Sequence, residues 1–281
     1  LARCLFGILA LVGVSYLALA QTPSPPPAAE IKPAPTRVEQ RQILAAVTEY
    51  AARYVDSLPD FICDQTVRQF EAGRKPKHWR QLDSLTSKLV FNKGREERSL
   101  EMVNGKPVSA RRHVRTPLTS EGEFGILVRE IFNPDTDTTF SWSGWEWING
   151  RQMAVLNFSI DRRHSSLKLT GDMGSGIAPY RGTVTSDPDT GEIWKVTDEA
   201  FDIPRIVQTE SIATSIEYDH ITIAGRTYLL PVRAVVMLNT GENNIRNEMT
   251  FEGYRKFESD STITFTAVDP PSRKGSAEPN L

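Results

Sequence analysis

Apolar residues recur along this chain at two spacings, and each spacing predicts its own kind of element. Leu44, Val47, Ala51, Tyr54, Val55 and Leu58 fall at helical intervals and make one apolar stripe, with Glu49, Arg53 and Asp56 off it. Thr36 followed three residues later by Glu39 fits a capping box, and Pro59 ends the run. The pattern predicts one long helix lying against a sheet. From Phe61 onward the spacing becomes that of strands, predicted over 62–70, 82–91 and 97–103. Asn92-Lys93-Gly94 and Asn104-Gly105 are turn signals, and 109–121 reads as a polar loop. Phe124, Leu127, Val128 and Ile131 then share one side of a short helix, stopped by Asn133-Pro134. Such an apolar helix between strands is expected to plug one face of a curved sheet.

The most informative stretch runs from Thr138 to Asp161. Asn149-Gly150 suits a two-residue type I′ turn, because both positions need positive φ. The turn sets Trp147 opposite Gln152 and Trp145 opposite Ala154. An uninterrupted register would then put Trp142 opposite Asn157, on the wrong face. A one-residue bulge at Ser143-Gly144 restores Trp142 to Leu156 and Phe140 to Phe158. Every large aromatic of the hairpin then lies on one side, with Ser141, Glu146, Met153, Val155, Asn157 and Ser159 on the other. These aromatics either form plain core or line a concave apolar surface.

A second hairpin is expected over 180–186 and 193–201, around Asp187-Pro188-Asp189-Thr190-Gly191. Ser186 opposite Glu192 would pair Val184 with Trp194 and Gly182 with Val196. A short strand is expected at 167–170, with a glycine-rich loop at 171–178. Further strands are expected at 212–223, 227–238, 247–257 and 262–268. Pro231 implies an edge or a break. The sum is about ten antiparallel strands with two helices, an α+β domain over 36–268, and a disordered tail over 269–281.

The N-terminus changes the picture. Arg3, an apolar run over 5–19 and Ala18-Leu19-Ala20 read as a signal peptide over 1–20. The run is about 15 residues, short for a span of about 20. The initial Leu is either an alternative start or a truncation. Cys4 sits too early for lipidation. The proline-rich stretch 21–35 reads as a linker. An exported, unlipidated protein, periplasmic or secreted, is expected, with no transmembrane span after cleavage. Only Cys63 then remains, as a buried thiol or, less simply, half of an intermolecular bridge. The net charge of −2 gives no reason to expect nucleic acid.

The exported chain, its N-terminal amphipathic helix and its meander around a short helix together resemble the periplasmic lipoprotein-carrier superfamily (LolA, LolB and RseB-like proteins). The hairpin YRGTVTSDPDTGEIWKVTDEAFDIP is similar to a late hairpin of that group. The resemblance implies a large, strongly curved antiparallel half-barrel, with the short helix on its concave face and an acyl chain as ligand. It carries over no ligand residue individually.

No catalytic chemistry stands out. The histidines His78, His113, His164 and His220 lack metal-ligand spacing, and no H-E-x-x-H or G-x-S-x-G occurs. Asp161 and His164 read as a charged hairpin end. Glu146 and Glu192 flank different hairpins. Arg111, Arg112, His113 and Arg115, and separately Lys75, Lys77 and Arg80, are basic clusters able to meet lipid phosphate or an acidic partner. No cofactor or metal is expected. Three readings stay open. In the first, a non-enzymatic binding protein holds a lipid or lipoprotein acyl chain on Phe140, Trp142, Trp145, Trp147, Leu156, Phe158, Val184 and Trp194. In the second, a packed module binds an envelope protein at a sheet edge. The third is an unrecognised hydrolase.

Overall fold

The computed structural model describes residues 32–75, 77–108, 123–171 and 173–257. Helix α1 (Arg37–Ser57) begins as its sequence dictates. The Thr36 hydroxyl accepts from the Glu39 amide, and the Glu39 carboxylate accepts from the Thr36 amide. Its buried stripe is Ile43, Val47, Ala51, Tyr54 and Val55. Leu58 caps the end just before Pro59.

Strands β1 (Phe61–Gly73), β2 (Arg80–Asn92), β3 (Arg95–Val103) and β4 (Lys106–Pro107) follow. Helix α2 (Ile126–Ile131) precedes the hairpin β5 (Thr139–Ile148) and β6 (Arg151–Ile160). After β7 (Lys168–Gly171) and β8 (Gly174–Ile177) come β9 (Tyr180–Ser186) and β10 (Ile193–Ala200). The described chain ends with β11 (Ser211–Ile223), β12 (Arg226–Asn239) and β13 (Asn243–Lys256). Eleven strands form one antiparallel sheet in the order β4-β3-β2-β1-β13-β12-β11-β10-β9-β6-β5. The sheet is curved and open, with β4 at one edge and β5 at the other. The expected signal segment, residues 21–31 of the linker, the loop at 109–121, its basic cluster, the strand at 262–268 and the tail at 269–281 lie outside the described residues.

Both helices pack into the same apolar core. The Tyr54 hydroxyl donates to the Leu229 carbonyl, and Tyr218 meets the Tyr54 ring edge-on. Phe61, Phe91, Phe124 and Phe251 form a contiguous aromatic group where the chain enters α2. Burying rings of this size is the main favourable term in such a core.

Pro231 does not mark an edge. Strand β12 is interior, but its pairing with β13 starts only at Arg233. The register with β11 shifts at Glu217/Tyr218, beside the proline. The missing amide therefore falls where no ladder bond is required. The glycine-rich stretch expected as loop instead supplies β8, paired with β7. Its glycines let the ribbon seat closely: a Cβ at Gly171 would lie 2.0 Å from the Val207 carbonyl oxygen.

The β9–β10 register also differs from expectation. Ser186 pairs with Ile193 and Val184 with Val196, while Gly182 pairs with Asp198. The cause is the turn. The Asp187 carboxylate accepts from the Asp189 and Thr190 amides, and the Gly191 amide donates to the Asp187 carbonyl. This lengthens the connection, and β10 re-enters the ladder through an irregularity between Ile193 and Lys195. Trp194 consequently packs edge-on against His220 rather than opposite Val184.

The same turn touches α1. Gly191 has φ of +74°, and a Cβ there would lie 2.3 Å from the Ala46 carbonyl oxygen. Gly191→Ala is expected to cost about 2–4 kcal/mol through combined backbone strain and overlap. Urea unfolding measures this loss; an unchanged midpoint would mean that α1 does not sit on the turn.

Candidate functional site

The hairpin β5–β6 has the register its sequence predicts. Phe140 pairs with Phe158, Trp142 with Leu156, Trp145 with Ala154 and Trp147 with Gln152, with the irregularity between Trp142 and Gly144. Asn149 and Gly150 have φ of +50° and +76°. Trp142 and Trp145 meet edge-to-face at 4.9 Å, and Phe140 stacks on Phe132 at 5.1 Å. The Trp145 indole N–H donates to the Pro33 carbonyl at 3.0 Å. The segment leading into α1 is thereby held to the hairpin. Met153, outward by alternation, is nonetheless fully buried.

This arrangement leaves a cleft of about 540 Å³ between the first turns of α1 and the sheet edge. Leu44, Phe140, Trp142 and Leu156 provide its apolar walls. Arg37, Gln40 and Arg41 border it from the helix, and Ser141 from the strand. Of the eight residues singled out in the sequence, Phe140, Trp142 and Leu156 come together here. Trp145 braces Trp142. Phe158, Val184 and Trp194 are buried in the core, and Trp147 is 45% exposed beside the turn.

The residues that sequence reasoning missed are Arg37 and Arg41. Their signal was available: positions 41 and 37 continue the helical stripe one and two turns before Leu44, its first apolar residue.

Elsewhere, polar side chains are tied into the structure. Glu146 receives Lys195 at 2.8 Å and the Thr185 hydroxyl at 3.0 Å. Glu192 lies 3.5 Å from His220. Arg98 bridges Glu96 and the fully buried Glu123 at 2.7 and 3.1 Å. Among the described residues no group of three or more His, Cys, Asp or Glu could hold a metal ion. No described helix is long and apolar enough to cross a membrane.

No family model and no curated protein matches this sequence. Solved structures do. A LolA superfamily protein from Nitrosomonas europaea aligns at 11% identity and a TM-score of 0.38, covering 76% of this chain and 93% of that one. A putative outer membrane lipoprotein-sorting protein domain from Vibrio parahaemolyticus aligns at 12% identity and 0.38, covering 77% and 92%. A DUF1329 family protein from Desulfovibrio piger aligns at 10% identity and 0.40, covering 77% and 94%. The resemblance is LolA-like and weak.

Two titrating groups give direct tests of the packing. Cys63 is fully buried, and burial with the nearby Asp64 charge pushes its thiol up to about 12. It should resist a maleimide in the native state and react only on unfolding; rapid native labelling would contradict this packing. Asp198 is raised to about 7 by burial, with Glu130 adding to the rise and a Thr214 hydrogen bond opposing it. The folded chain then keeps a proton that the unfolded chain releases at about pH 4. Its contribution to stability is therefore most favourable below pH 4 and falls as pH rises to about 7. Asp198→Asn should flatten that fall, raising stability at pH 8 by a few kcal/mol at most. Urea unfolding across pH measures it; parallel pH profiles for the two proteins would contradict it.

Proposed function

We propose that this chain is an exported, non-enzymatic binding protein that holds a hydrophobic, acyl-like ligand in the cleft between α1 and the tryptophan hairpin. The observation that carries the reading is the cleft itself, with Leu44, Phe140, Trp142 and Leu156 meeting across about 540 Å³. That volume lies within the roughly 300–1,000 Å³ usual for small-ligand sites, which are mostly apolar with a few polar groups. In this reading Phe140, Trp142 and Leu156 touch the ligand. Trp145 fixes the Trp142 ring, and Trp147 extends the apolar surface along the strand. Phe158, Val184 and Trp194 back the site from the core.

A second reading keeps the same fold and places an envelope protein along β5. It is favoured by one observation: β5 is a ten-residue edge strand with nothing paired on its outer side among the described residues. Such an edge can accept an added strand.

Native mass spectrometry of gently purified protein tests the first reading. A bound lipid-like mass is expected, or uptake of an added amphiphile. Trp142→Ala should weaken that uptake about tenfold or more, in line with the roughly 1.5–3 kcal/mol carried by a buried apolar side chain. A protein that never carries or accepts such a molecule would overturn the reading.

A further inference from the structure

The charge around the cleft is one-sided. Arg37 and Arg41 lie one helical turn apart on α1 and both border the apolar walls. Among the described residues no carboxylate lines the cleft. Glu39, the nearest acidic side chain in sequence, is turned back onto the Thr36 amide at 2.6 Å. Among the described residues neither guanidinium takes part in an ion pair, whereas Arg53 on the same helix pairs with Glu49. Gln40, between them, is committed to the Pro35 carbonyl at 2.9 Å. Among the described residues the cleft thus offers two unmatched cations beside indole, phenyl and leucine surface.

We propose that the ligand is a single-chain anionic amphiphile of the fatty-acid class, its carboxylate held by Arg37 and Arg41 and its chain laid over Leu44, Trp142 and Leu156. This rests on the apolar-binding reading above and adds the chemistry of the head. A guanidinium presents a planar fork of donors that matches a carboxylate, and charge-assisted bonds of this kind are stronger than neutral ones. Apolar burial alone is indifferent to the head group. The arginines therefore supply the selectivity, and Trp142 and Leu156 the affinity. The volume suits one chain rather than a diacyl body, being in the lower half of the small-ligand range of about 300–1,000 Å³.

The test uses three sixteen-carbon probes brominated along the chain, a carboxylate, an alcohol and a trimethylammonium, each titrated into the purified chain at pH 8. Bromine quenches indole fluorescence on contact, so Trp142 and Trp145 report occupancy. The carboxylate should bind about tenfold more tightly than the alcohol, with the ammonium weakest, and the preference should shrink as salt is raised. In the double variant Arg37→Gln/Arg41→Gln the carboxylate-to-alcohol ratio should fall towards one. Arg37→Lys/Arg41→Lys should keep part of it. If all three probes bind the wild-type chain equally, or the ammonium or alcohol binds best, the head-group assignment fails while the apolar cleft stands. If the ratio survives in the glutamine variant, the assignment fails as well. If no probe quenches at all, the apolar-binding reading itself falls, and this proposal with it.

Discussion

The constraint on which the rest of this structure depends is that Phe140, Trp142 and Trp145 must reach the same core-facing side of one strand. Trp142 and Trp145 are three residues apart, an odd interval that regular alternation sends to opposite faces. The irregularity at Ser143-Gly144 absorbs the extra residue. Without it, one large indole would lose its partial burial against the core, a cost below the roughly 1.5–3 kcal/mol of a fully buried apolar side chain. With it, the aromatic rings of β5 gather where α1 begins.

That gathering links the two ends of the described chain's first half. The indole of Trp145 holds the Pro33 carbonyl, so the approach to α1 is set by the hairpin. The helix then runs across the sheet face, touching the β9–β10 turn at Gly191 and the α2 entry at Gly125. Where α1 is deeply packed, from Ile43 onward, the face of the sheet is filled. Where its first turns rise towards the sheet edge, the filling is incomplete and the cleft remains. The arginines sit on those first turns because the stripe that is apolar inside becomes cationic at its outer end.

Much of this was legible in residue order. The capping box at Thr36 and Glu39, the Asn149-Gly150 turn and the bulged register all follow from local rules with few competitors. The antiparallel α+β architecture followed from the density of turns and the two helical stripes, and the strong curvature from the family resemblance. What local pattern could not supply was long-range pairing: β1 lies between β2 and β13, and β6 pairs with β9 across an intervening ribbon. The β9–β10 register was missed because the Asp187 side chain builds a longer turn than its backbone signature implies. In the site, apolarity alone pointed to Phe158, Val184 and Trp194, which the core absorbs. Apolarity could not point to Arg37 and Arg41, whose significance depends on where the helix lands.

The central claim is that Trp142 and Trp145 point together, over Leu156, towards the helix. Nuclear Overhauser spectroscopy on methyl-labelled protein measures this directly in solution. The account predicts cross-peaks from the Trp142 indole to both the Leu156 methyls and the Trp145 ring. Cross-peaks from the Trp142 ring to the Asn157 side chain instead, with none to Leu156, would mean an unbulged register and would contradict it.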